Sequence, residues 1–135
     1  MDPTALRIHI YDTLVATGRP PQLSGEQRQQ LASLKIGKTL LPHPQNGQVW
    51  MAGPFAAEPT QYKVTGSATW YANCAWDMLG IPVITQERVR IETHCAHCAE
   101  PMVLVASPDE PPSFGNAVVH FLVAARRWYD DIGFT

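Results

Sequence analysis

Charge is scarce in this chain: of its 135 residues, Asp, Glu, Lys and Arg make up only 16%. The net charge is -2 and the pI about 6.2, so nothing electrostatic calls for nucleic acid or an anionic membrane. Long apolar runs are also missing. None approaches the roughly 18 residues of a membrane span, so no membrane partner is expected. The start, MDPTALRIHIYDTL, has neither a basic run before an apolar core nor a cleavage pattern, and a signal peptide is not expected. Cysteine is sparse and odd in number, at three. That argues against a disulfide framework and for reduced thiols in the cytoplasm, free to bind metal or to react.

Hydrophobic residues reach 45%, enough for the core of one domain or of a domain with a small appendage. Twelve prolines and nine glycines favour short elements and many turns. No internal repeat or low-complexity tract is visible.

Leu6, Ile10 and Leu14 recur at helical spacing over residues 4–17, and Gly18, Pro20 and Pro21 end that pattern. Ser24 is the expected N-cap of a second helix, with Gln27 in the capping-box position and Gly37 as its stop. Asn46-Gly47, between LLPHPQ and QVWMA, is a hairpin signal. Helices followed by a hairpin predict a winged-helix-like unit over residues 1–57. Its second helix carries Arg28 and Lys35 but also Glu26, with no cationic stripe, so a packing scaffold is expected rather than a DNA reader.

The remainder, residues 58–135, predicts a small mixed β-sheet domain around a buried helix, an α+β fold overall. EPTQYKVTG reads as a strand with Tyr62 and Val64 alternating. TWYANCAWDMLG reads as a helix ended by Gly80 and Pro82. PVITQERVRIETHC reads as one or two strands, with Val83, Ile84, Val89 and Ile91 as core candidates. PMVLVAS and NAVVHFLVA read as further strands, and ARRWYDDIGFT as the start of another element.

Two groups of residues carry chemistry. Cys74 and Asp77 are three apart, so on a helix they share one face. Cys74 would sit where the helix dipole favours a thiolate, and Asp77, among Trp70, Trp76, Met78 and Leu79, would hold its proton more tightly than usual. A thiol beside a proton-bearing carboxyl can cleave a bond by protonation while sulfur captures the electrophile. The bland alternative is a small buried cysteine and a capping aspartate.

The second group is THCAHCAEP, where Cys95 and Cys98 form a C-x-x-C knuckle interleaved with His94 and His97. Two thiolates at this spacing can clamp one soft ion. A structural Zn(II) site needs four ligands, and only Cys74 and the scattered His9, His43 and His120 remain. A zinc site completed by histidine, a soft-metal or redox pair, and an unligated turn all stay open.

The runs YANCAWDMLGIPVI, RVRIETHC, PMVLVASP and GNAVVHFLVA resemble, in order and spacing, the organomercurial (alkylmercury) lyase family, best over residues 60–135 and more weakly over 8–57. The Cys-Ala-x-Asp core within an aromatic stretch is the specific part. The resemblance implies an N-terminal winged-helix-like portion and an α+β catalytic portion. It makes Cys74 the first catalytic cysteine and Asp77 the catalytic aspartate, and matches Cys95 to a cysteine regarded as structural. It implies an organomercurial substrate. Thiol binds mercury, a proton reaches the carbon, the hydrocarbon leaves, and thiolates hold Hg(II), an ion whose softness suits sulfur. No cofactor is required. A second catalytic cysteine is expected in the family just past the stretch matching WYDDIGFT, beyond Thr135, with a final strand and helix. Either the chain stops short of it, a partner subunit supplies those elements, or Cys95 or Cys98 pairs with Cys74, making Cys74, Cys95 and Cys98 the candidate metal ligands. Asp130 and Asp131 read as a solvated acidic pair and His120 as a packed histidine. The alternatives to a lyase are a soft-metal binder without turnover and a lyase-fold enzyme recruited to another, biosynthetic reaction. An exposed apolar edge would make a homodimer reasonable.

Overall fold

Asp2 followed by Pro3 is a strong helix opening, because the carboxylate accepts a free first-turn amide and proline needs none. In a computed structural model, which describes residues 2–34, 39–110, 112, 115, 117–121, 124, 126 and 127, helix α1 spans Pro3–Thr17 and Asp2 accepts the Ala5 N–H at 3.0 Å. Leu6, Ile10 and Leu14 are its buried stripe. Gly18 closes it at φ 80, a left-handed conformation open to glycine. Helix α2 spans Gly25–Ser33 with both arms of the Ser24–Gln27 capping box made. It ends earlier than expected, at an extended Leu34, and Gly37 and Lys35 lie outside the described residues.

Strands β1 (Leu40–Pro42), β2 (Val49–Ala52) and β3 (Phe55–Ala56) form an antiparallel sheet in chain order. The β1–β2 turn contains Asn46-Gly47, with Gly47 at φ 73. A second antiparallel sheet joins β4 (Lys63–Thr65), β5 (Thr69–Tyr71), β6 (Val89–His94) and β7 (Pro101–Ala106) in the order β5-β4-β6-β7. Helix α3 (Ala75–Thr85) connects β5 to β6. The described architecture is thus three helices and two antiparallel sheets.

Register puts Val64, Trp70, Val89, Ile91, Leu104 and Ala106 on one buried face of the second sheet. That face shares a single core with Leu6, Ile10, Leu14, Val49 and Phe55. Buried Trp70 donates its indole N–H to the Leu14 carbonyl at 2.8 Å, which satisfies both groups away from water.

Five expectations need correction. TWY is strand β5, not helix, because it pairs with Lys63–Thr65. Helix α3 does not stop at Gly80 and Pro82. Ile81 and Pro82 are buried, and that burial carries the helix through the proline to Thr85. Val83 and Ile84 therefore lie on the helix's outer side, 55% and 46% exposed, instead of in the core. Finally, residues 117–121 of NAVVHFLVA form no strand; Val118 is 83% exposed, and no ladder partner occurs among the described residues. His120 is exposed rather than packed, and Asp130 and Asp131 lie outside the described residues. No described helix is long and apolar enough to cross a membrane.

Candidate active site

The segment before α3 is pinned to the first sheet. Ala72 bridges Phe55, the Asn73 N–H donates to the Pro54 carbonyl at 3.2 Å, and the Asn73 side-chain amide donates to the Phe55 carbonyl at 3.1 Å. Thr60 adds a hydroxyl bond to the Ala72 carbonyl at 2.6 Å. The chain leaves this clamp extended, so Cys74 becomes the N-cap of α3 at φ -154, ψ 177, and Asp77 falls in the first turn. The i, i+3 juxtaposition read from the sequence is present, at the open end of the helix.

Both side chains are half-buried. Cys74 makes no capping hydrogen bond of good geometry. Its sulfur instead faces the Asp77 carboxyl and the amides of Asp77 and Trp76. Burial raises the Cys74 pKa, the Asp77 charge adds to that, and the two amides oppose it. Burial also raises the Asp77 pKa, against the Asn73 amide and the Cys74 thiol, which favour the carboxylate. Each group therefore holds its proton more firmly than it would in water. Beside it lies a cleft of about 320 Å³ lined by Trp76, Asp77, Leu79, Gly80 and Val83. An apolar group can lie there against the carboxyl.

Two contributors escaped the sequence reading. Asn73 is one; an asparagine just before a helix was a visible cue, but its Phe55 partner was not. Its Oδ1 is buried with no hydrogen-bond partner. Tyr11 of α1 is the other. Its hydroxyl donates to the Gly53 carbonyl at 3.0 Å and its ring meets Phe55 edge-on at 6.4 Å. Burial raises its pKa, against the Arg7 charge and the Thr39 side chain, and the Asp77 charge adds slightly to the rise. No local signal in the sequence marks this long-range approach.

Cys95 and Cys98 lie elsewhere, in the turn between β6 and β7. The turn is closed by Cys95 N–H to Glu100 O at 2.9 Å and Ala99 N–H to Cys95 O at 2.8 Å, with Ala99 at φ 59. The amides of Cys98 and His97 face the Cys95 sulfur, and they pull its pKa down, as does the Cys98 thiol. Cys95 is half-buried and Cys98 exposed. Among the described residues no three of His, Cys, Asp and Glu are grouped to hold a metal ion. Cys74, Cys95 and Cys98 are thus not gathered into one ligand set, and His94 and His97 do not complete a zinc site. His9 is exposed on α1, and His43 belongs to the β1–β2 turn, 3.9 Å from Glu58.

The sequence profile of the family MerB, alkylmercury lyase, matches residues 55–134 of this chain. A solved structure, the mercury-bound form of MerB2, aligns with a TM-score of 0.49 and 17% identity over 80% of this chain and 48% of that one. The chain therefore spans about half the length of that structure. No curated protein matches it.

Proposed function

Because the chain belongs to the alkylmercury lyase family, we propose that it cleaves the carbon–mercury bond of a small organomercurial by protonolysis, with Cys74 and Asp77 as the reacting pair. The observation that carries this is the facing thiol and carboxyl at the N-terminus of α3, both with raised proton affinity, beside an apolar cleft.

The cycle starts from a Cys74 thiol and an Asp77 carboxylate. As the sulfur bonds to the mercury of an R–Hg⁺ substrate, its proton passes to Asp77. Asp77 then delivers that proton to the carbon. The C–Hg electron pair takes up the proton, R–H leaves, and the vacated position on Hg(II) is filled by the carboxylate. Charge balances throughout, and no redox step is needed. Asn73 holds Asp77 in place through the Phe55 clamp, and the Trp76–Val83 face of α3 receives the organic group. The half-buried setting keeps the proton on the pair until the substrate arrives.

The N-terminal portion, residues 1–57, is read as a winged-helix-like scaffold that delivers Tyr11 to the site, and residues 58–135 as the catalytic portion. A second reading, capture of mercury without turnover, is favoured by one observation: no further sulfur joins Cys74 among the described residues.

Native mass spectrometry separates the two readings. The reduced Cys95→Ser/Cys98→Ser variant, whose one thiol is Cys74, receives one equivalent of an arylmercury salt. An added mass equal to Hg(II) alone supports cleavage. An intact aryl–mercury adduct that persists leaves Cys74 as a trap and overturns the lyase reading.

A further inference from the structure

The β6–β7 turn is built like a holder. The ladder runs without a break from Val89↔Ala106 to His94↔Pro101, so the turn stands on six residue pairs. The two turn hydrogen bonds and the left-handed Ala99 close residues 95–100 into one tight turn, which holds Cys95 and Cys98 three residues apart in a single loop. The Cys98 thiol lies beside the Cys95 sulfur and reaches solvent. Two sulfurs held on one closed turn supply the two donors of a two-coordinate site for a soft ion.

We propose that Cys95 and Cys98 form a second site for a soft cation, held by two thiolates and separate from the Cys74–Asp77 pair. The donor set selects the ion. Zn(II) takes four ligands, and no third His, Cys, Asp or Glu joins this pair among the described residues. A thiophilic divalent ion satisfied by two sulfurs fits. On binding, two S–H bonds break, two S–metal bonds form and two protons go to solvent. The ion's two charges are then neutralised by two thiolates, so no further ligand is required, and exposed Cys98 gives an incoming thiol a point of exchange. Under the lyase reading this turn takes up the Hg(II) that leaves Cys74; that role rests on the reading, whereas the site does not.

The test uses the reduced Cys74→Ser variant, in which only these two thiols remain, with inorganic Hg(II) in the presence of excess glutathione. The expected product is a single chain carrying one Hg(II), with both thiols silent to a thiol reagent. Its affinity should exceed that of the Cys74→Ser/Cys95→Ser and Cys74→Ser/Cys98→Ser variants by at least about a hundredfold, the gain of a chelating second bond. Circular dichroism confirms that each variant is folded. Removal of Hg(II) by glutathione as readily as from the single-thiol variants would overturn the proposal. So would Hg(II) found only between two chains, or Zn(II) bound as tightly. The cleavage experiment lacks these two thiols and this one lacks Cys74, so each can fail alone.

Discussion

Asp77 and Cys74 divide the proposed reaction between them, and single substitutions expose the division. Asp77→Asn should still form the arylmercury adduct at Cys74 but lose cleavage by about 10²–10⁴-fold, the usual contribution of a positioned proton donor. Single-turnover kinetics alongside adduct mass would show it; an unchanged cleavage rate would remove Asp77 from the mechanism. The pH profile of kcat/KM should be a bell whose acid limb lies above the ordinary carboxyl range and whose alkaline limb lies above the ordinary thiol range, since burial raises both pKa values. The limbs belong to the pair as a unit. Stability carries the same signature. A carboxyl with a raised folded-state pKa binds its proton more tightly folded than unfolded, so Asp77 costs stability as pH rises from the ordinary carboxylate range through its raised value. Asp77→Asn should flatten that decline in urea midpoints. At this scale the sequence was informative where spacing is local. Cys74 and Asp77 share the first turn of α3, and Cys95 and Cys98 share the turn between β6 and β7. Tyr11 and the Asn73–Phe55 clamp were invisible, because their partners are 42 and 18 residues away.

Helix ends show why some elements were readable and others were not. The Ser24–Gln27 box and the Gly18 stop are local chemistry and appear as expected. The start and end of α3 are decided by tertiary contacts: β5 claims TWY through its ladder, and burial of Ile81 and Pro82 overrides two breaker residues. Two glycines should therefore respond oppositely to alanine. At Gly18 an added Cβ would lie 2.1 Å from the Thr69 carbonyl oxygen in a left-handed backbone, so Gly18→Ala should destabilise by about 2–4 kcal/mol. At Gly80 the nearest atoms, on Pro54, are 3.8 and 3.9 Å away, ordinary contact distances inside a helix. Gly80→Ala should stabilise by about 0.5–1 kcal/mol. Thermal unfolding of both variants checks the pair; a loss at Gly80 would mean that α3 cannot accept a methyl against Pro54.

For the whole molecule the informative fact is a core that crosses from the N-terminal helices to the second sheet. The Trp70–Leu14 hydrogen bond and the Phe55–Ala72 bridge tie residues 1–57 to the rest. Denaturant unfolding should then be one cooperative transition, with circular dichroism and Cys74 accessibility coinciding. Trp70→Phe should lower the midpoint of both probes together, with a stability loss of about 0.5–1.5 kcal/mol for the lost indole hydrogen bond, since the Leu14 carbonyl still accepts the Gly18 N–H. Separated transitions would show two independently folding parts.

Trp76 gives this molecule an optical consequence. Trp76 is 62% exposed and lines the cleft, and its amide faces the Cys74 sulfur, whereas Trp70 is fully enclosed. Trp76 therefore emits at longer wavelength than Trp70. Under the proposed reaction, mercury held by Cys74 and Asp77 sits within one helical turn of the red-emitting indole and, as a heavy atom, opens a non-radiative path from its excited state. Occupancy of the site should be readable as selective dimming of the red edge of the emission, and departure of the ion as its return.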